Sequence, residues 1–251
     1  MSLSSNLLPR LRLLRIALTR RFIYPEITEM AAAYGLDYTD VPGDLQPFAL
    51  VRAIEGGLPP VDLGKIEPVE AFTPSDAPAQ FNSEPSVARF LGELAFRRRA
   101  RTVIELGCFV GWTTAHLAMG IQAHGGGRVV ALDPCQQYLD TMMANLRRNG
   151  GLDSLVTPVR GMSLDPGALA ALPPQADLIF LDTSHAYPAT RDEILAYAGR
   201  LTPGGCFVLH DSVNASGVRR SIAEVAGRFR VHTFATERSN GVTVLLPRRA
   251  P

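Results

Sequence analysis

Val103-Ile104-Glu105-Leu106-Gly107-Cys108-Phe109-Val110-Gly111-Trp112-Thr113-Thr114 is the stretch on which the reading of the fold turns. An apolar run ends in the acid Glu105, two glycines follow, and residues 112–118 read as the start of a helix. A strand that delivers a carboxylate into a glycine turn and then a helix N-terminus makes a small-molecule site in a doubly wound sheet. Gly107 and Gly111 lack a Cβ, which permits a tight turn and close approach of a ligand. A plain strand–loop–helix connection would use glycines the same way, and a lone glycine pattern does not separate the two.

Outward from this stretch the chain alternates. Ser83-Glu84-Pro85 reads as a helix start, with a cap candidate and an early proline. Apolar residues Val87, Phe90, Leu91 and Leu94 follow at helical spacing. Strands are expected over 102–106, 128–132, 156–159, 178–181 and 206–210. Helices are expected over 113–122, 136–148, 166–171, 189–200 and 217–228. Short apolar strands alternating with helices predict an α/β fold: a Rossmann-like, doubly wound, mostly parallel sheet of seven strands. Two final strands, 230–235 and 241–247, have no helix between them and predict a closing antiparallel hairpin.

The first 80 residues read differently. Residues 1–36 look helical, and residues 7–23 mix leucines with Arg10, Arg12, Arg15, Arg20 and Arg21. That charge excludes a membrane span, and no signal-peptide centre is present. An amphipathic helix packed on the domain or on a second subunit is the expectation, with a membrane-surface helix as the alternative. Residues 37–79 are proline-rich and irregular, with one helical patch near 48–54. We therefore divide the chain into an N-terminal arm, 1–80, for oligomerisation or as a substrate lid, and a catalytic domain, 81–251.

Composition narrows the class. Hydrophobic residues make up 46 % of 251 and charged residues 20 %, as in a globular protein with a sizeable core. A net charge of +1 gives no global field for nucleic acid. Three scattered cysteines point to reduced thiols and a cytoplasmic protein.

Three further strand ends carry chemistry. Val129-Val130-Ala131-Leu132-Asp133 ends in a carboxylate about twenty residues past the glycine turn, where it can accept both hydroxyls of a ribose. A nicotinamide-dependent oxidoreductase would share that acid. Its turn would read GxGxxG, however, and the acid Glu105 suits a cofactor bearing an amine better than a pyrophosphate. Asp182 and His185 follow strand 178–181, and His210 and Asp211 end strand 206–210. Two carboxylates and two imidazoles at neighbouring strand ends suffice for a hard divalent cation plus a general base. His116 reads as a core or cap residue, and His124 and His232 as surface.

ELGCFVGWTT resembles the cofactor motif of class I S-adenosylmethionine-dependent methyltransferases, in a form similar to catechol-type O-methyltransferases. The resemblance runs from about residue 83 to 247. It implies S-adenosylmethionine as cofactor, held by the motif residues Glu105, Gly107, Phe109, Gly111 and Thr113. Glu105 would take the methionine amine, Thr113 its carboxylate and Asp133 the ribose. Gly161-Met162-Ser163 resembles the G-x-S beside the adenine, which makes Ser163 an adenine contact. LDTSHAYPATRDEI and LTPGGCFVLHDS look closer to the macrocin, cephalosporin and rhamnosyl O-methyltransferase-like branch. There Asp182 borders cofactor and metal, and His185 is the base. Mg²⁺ would be held by Asp182 and Asp211 with His210, although His210 stands where metal-binding relatives carry an acid and imidazole is a poor Mg²⁺ ligand. The expected activity is methyl transfer to a hydroxyl of a small molecule: a sugar or polyketide-type natural product of secondary metabolism, or a catechol. A non-catalytic cofactor-binding partner protein remains a rival, and a homo-oligomer is the expected assembly.

Overall fold

The computed structural model describes residues 61–73, 81–234, 236 and 240–248. The expected N-terminal helix, the 48–54 patch and most of the 37–79 segment lie outside the described residues. Strands β1 (Thr102–Leu106), β2 (Arg128–Asp133), β3 (Val156–Arg160), β4 (Ala176–Leu181), β5 (Leu201–His210), β6 (Phe229–Phe234) and β7 (Val242–Pro247) form one sheet in the order β3-β2-β1-β4-β5-β7-β6. Five strands run parallel, and β7 lies antiparallel between β5 and β6. The expected closing hairpin is therefore present, with its second strand inserted beside β5.

The helices are α1 (Pro85–Arg97), α2 (Trp112–Ala123), α3 (Gln136–Arg148), α4 (Pro166–Ala171), α5 (Tyr187–Ala198) and α6 (Ser216–Val225). Strand alternation divides the core into two layers. Val103, Val129, Leu178, Phe180 and Val208 pack under α1, α2 and α3. Ile104, Leu106, Ile179, Phe207 and Leu209 face the opposite layer with α4, α5 and α6. The central strands are apolar on both faces, as burial under helices on both sides requires. Among the described residues no helix is long and apolar enough to cross a membrane.

Two features fix the frame. Asp177 ties the starts of three strands: its Oδ2 accepts the Arg101 and Thr102 N–H groups at 2.8 and 3.0 Å, and its Oδ1 accepts the Thr202 hydroxyl at 2.8 Å. Helices α1 and α2 touch backbone to backbone, so a Cβ on Gly120 would sit 2.1 Å from the Gly92 carbonyl oxygen. Short Gly–Gly contact sets the depth at which α2, and hence its N-terminus, rests on the sheet.

The helix start at Ser83-Glu84-Pro85 differs in detail from the sequence reading. Glu84 is the N-cap residue, and no side chain caps the helix. The Ser83 and Glu84 side chains are engaged elsewhere, as described below. Gly120→Ala should cost about 2 kcal/mol or more by forcing the helices apart; a denaturant midpoint unchanged from wild type would contradict the contact.

Candidate active site

The chain passes outward from β1 through β2 to β3, then returns to place β4 on the other side of β1. Ligands in open α/β sheets bind in the crevice made by such a reversal. Here the loops after β1 and β4 are in backbone contact. The Asp182 N–H donates to the Leu106 carbonyl at 2.9 Å. Gly107 has φ +85°, and a Cβ there would lie 2.0 Å from the Asp182 carbonyl oxygen. Only glycine meets both demands. Phe109, His185 and Asp211, in the loops after β1, β4 and β5, also adopt positive φ (47°, 57° and 53°). Such conformations are costly for residues with a Cβ and gather at functional sites.

One half of the crevice is built around β1 and β2. Glu105 is fully buried. Its carboxylate accepts the Thr113 hydroxyl at 2.5 Å and the Thr114 hydroxyl at 2.6 Å, both from the first turn of α2. Burial pushes its pKa up to about 8; the two hydroxyls oppose the rise, and the charges of Asp182 and Asp133 add to it. Gly111 is the N-cap of α2, which leaves the first N–H groups of the helix for an anion. Asp133, at the end of β2, accepts the Phe109 N–H at 3.1 Å and the Cys135 N–H at 2.9 Å. Phe109 packs edge-on against Tyr138, with ring centroids 4.7 Å apart. The Ser163 hydroxyl donates to Glu193, buried in α5, and Thr183 donates to the other Glu193 oxygen at 2.8 Å.

The second half lies at the ends of β4 and β5. His185 Nε2 is 3.1 Å from Asp182 Oδ1, and its Nδ1 is 3.5 Å from Asp211 Oδ2. His210 Nδ1 approaches the same Asp182 oxygen at 3.2 Å, and its Nε2 meets Glu84 at 2.7 Å. Ser83 donates to Asp182 Oδ2 at 3.0 Å, and Thr236 donates to Glu84 at 2.6 Å. Burial raises the Asp182 pKa, but the charges and hydrogen bonds of His210 and His185 outweigh it and hold the carboxyl far below the usual range. Burial lowers the pKa of His185, yet Asp182 and Asp211 win and the net shift is upward. For His210 the same contest, with Asp182 and Glu84 on the winning side, ends well above the ordinary imidazole value.

The structure thus brings together Asp182, His185, His210 and Asp211, as their strand ends implied. Among the described residues, ligand atoms of Asp182, His185 and Asp211 lie within 4.8 Å of one another. His210 is outside that set, and its two nitrogens face Asp182 and Glu84. Thr113, expected on a cofactor carboxylate, turns its single hydroxyl proton to Glu105. Sequence reasoning missed Ser83, Glu84, Glu193 and Thr236. Glu84 and His210 are 126 positions apart, and no local pattern joins them. His116, read as core or cap, is buried and bonds the Trp112 carbonyl at 2.9 Å. His124 is half-buried on the Ala100 carbonyl.

A glycine turn at the switch point, acids ending β1 and β2, and an Asp–His pair ending β4 thus meet around one crevice. Residues 104–212 match the family model described as a methyltransferase domain. The chain is 35 % identical over 132 residues to a catechol O-methyltransferase of Mycobacterium tuberculosis, a match covering 51 % of this chain and 56 % of that protein. The chain therefore spans about half the length of that relative. An O-methyltransferase from Bacillus cereus, solved with S-adenosylhomocysteine, superposes with a TM-score of 0.61 at 19 % identity, over 80 % of this chain and 97 % of the other. TomG from Streptomyces achromogenes, solved with S-adenosylmethionine, gives 0.61 at 21 % identity, over 73 % and 91 % of the two chains.

Glu105→Gln separates the cost of the buried acid from its use. The native carboxyl holds its proton more tightly than an unfolded one at 4.5, so native stability falls as pH rises from 4.5 to about 8. Glutamine removes that slope and should stabilise the free protein at pH 9 by on the order of 1 kcal/mol or more. It should weaken S-adenosylhomocysteine binding about tenfold, the scale of one hydrogen bond to a charged group. Melting curves at pH 5 and 9 and calorimetry read the two effects; a pH-independent melting temperature in wild type would contradict the buried acid.

Proposed function

We propose that the chain is an S-adenosylmethionine-dependent O-methyltransferase that transfers a methyl group to a hydroxyl of a small molecule, with His185 as general base. The observation that carries this reading is the Asp182–His185 pair, placed across the crevice from Glu105 and Asp133. Support for the cofactor comes from the family match and from neighbours solved with S-adenosylmethionine or its product. Glu105 and the α2 N-terminus suit the two charges of a methionine end, Asp133 suits a ribose, and Gly161-Met162-Ser163 lies on the loop proposed for the adenine.

The chemistry follows from the pair. The acceptor oxygen attacks the sulfonium methyl in line, a C–O bond forms, and the C–S electrons return to sulfur. The hydroxyl proton goes to His185. A hydroxyl attacks weakly at its free pKa, so a base beside it is required. Asp182 orients the ring and stabilises the imidazolium that forms, as in a His–Asp pair.

The Mg²⁺ expectation meets a donor set that does not fit it. Asp182 Oδ1 already accepts from His185 and His210, and its Oδ2 accepts from Ser83. Asp211 is the carboxylate here whose oxygens take no hydrogen bond: Oδ1 is buried 3.6 Å from His210 Nδ1, and Oδ2 lies 3.5 Å from His185 Nδ1. Mg²⁺ is held through carboxylate oxygens and retained waters, and here one carboxylate is already engaged by three donors while the groups around the other are imidazoles, which are poor Mg²⁺ ligands. No step is routed through a metal.

A sugar or polyketide-type hydroxyl of secondary metabolism is the acceptor we propose; a catechol is the second reading, favoured by the similarity to a catechol O-methyltransferase. We assign acceptor choice to residues 37–79 and to the loops after Asp182 and Asp211. Residues 1–80 are proposed as an arm or lid, residues 81–251 as the catalytic domain, and the assembly as a cytoplasmic homo-oligomer.

His185→Ala should lower turnover about 10²–10⁴-fold, the usual share of a general base. S-adenosylhomocysteine affinity should be unchanged. Transfer of labelled methyl to a panel of catechols and glycosylated polyketides reads the loss, and wild-type turnover in the variant would sink the base assignment. In the native enzyme kcat/KM should climb with pH through a value above 6.5, because His185 must be neutral to accept a proton. Asp133→Ala should weaken cofactor binding; an unchanged calorimetric Kd would remove the ribose role.

A further inference from the structure

His210 is buried, and each of its ring nitrogens points at a carboxylate, Glu84 at 2.7 Å and Asp182 at 3.2 Å. A carboxylate only accepts, so both nitrogens must carry protons, and the ring is an imidazolium. Glu84 is fixed in turn. Its side chain is fully buried, and its second oxygen takes the Thr236 hydroxyl, which accepts the Gly241 N–H at 3.0 Å. This chain of contacts joins the start of α1, the end of β5 and the segment before β7 to Asp182.

We infer that the domain works without a divalent cation, because Glu84 and Asp182 hold His210 between them as a fixed internal cation that balances and orients Asp182 for His185. The inference rests on the methyl-transfer reading only for the purpose of that orientation. A ring with both nitrogens engaged has no lone pair for a metal. Its charge stands beside Asp182, the carboxylate any cation bound between β4 and β5 would have to share. The charges that face one another here are Glu84, Asp182 and Asp211 against His210 and His185. His210 is a positioning residue: it lies behind Asp182, whereas His185 is the more exposed ring.

The first test needs no substrate. The full chain, stripped with EDTA, is titrated with Mn²⁺ and followed by electron paramagnetic resonance, with Mg²⁺ as competitor. We expect half-saturation weaker than about 1 mM, the weak end of protein cation sites. Tighter, stoichiometric binding that Asp211→Asn abolishes would overturn the inference. The second test reads the ring itself. Long-range ¹H–¹⁵N NMR of wild type at pH 8 should show His210 with both nitrogens protonated and His185 distinct from it; a neutral His210 ring would overturn the inference. His210→Asp should gain Mn²⁺ affinity by at least tenfold over wild type, with circular dichroism confirming the fold, and the wild-type NMR result stands if that variant does not fold. Calorimetry with S-adenosylhomocysteine in EDTA separates the two readings. Its absence would defeat the cofactor assignment and leave the metal result intact.

Discussion

Everything in the crevice hangs on one backbone contact, the closure of Gly107 against Asp182. The Asp182 N–H to Leu106 carbonyl bond extends the β1–β4 pairing by one step beyond the strands. It brings the loop after β1 within van der Waals distance of the loop that carries Asp182 and His185. Any side chain at Gly107 would meet the Asp182 carbonyl. The two halves of the site are separate in sequence by about seventy positions, yet they are a single rigid corner of the sheet. Methyl transfer depends on such fixity, since donor and acceptor must lie in line at near-contact distance.

The electrostatics of the corner are asymmetric. On the β1 side a carboxyl is buried with hydroxyls alone, and its affinity for a proton rises. On the β4 side a carboxylate is buried against two imidazoles, and its affinity falls. Burial acts the same way on both acids; the partners decide the outcome. Glu105 is thus poised to gain from a cationic group, and Asp182 is already satisfied.

The sheet was legible because its signals are local. Strands β1, β2 and β4 are continuous apolar runs that end in acids, and helix α3 was read with its observed bounds, Gln136–Arg148. Strand order beyond β5 was less accessible: the sequence shows two strands without a helix between them but does not say that β7 inserts next to β5. In the site, residues at strand ends were found because open sheets put ligands there. Glu84, Ser83, Glu193 and Thr236 were not found because their roles come from tertiary contact. Ser83-Glu84-Pro85 is also a good helix start by local rules, and that explanation masked the other. His210 was read as a metal ligand from its place at a strand end; only the partner on its far side, Glu84, shows what holds it.

Glu193 draws a last thread through the fold. This buried carboxylate in α5 receives Ser163 from the loop after β3 and Thr183 from the loop that bears His185. One acid therefore ties the loop after β3 to the loop after β4 that bears His185. Neither loop can shift without disturbing the carboxylate that holds the other.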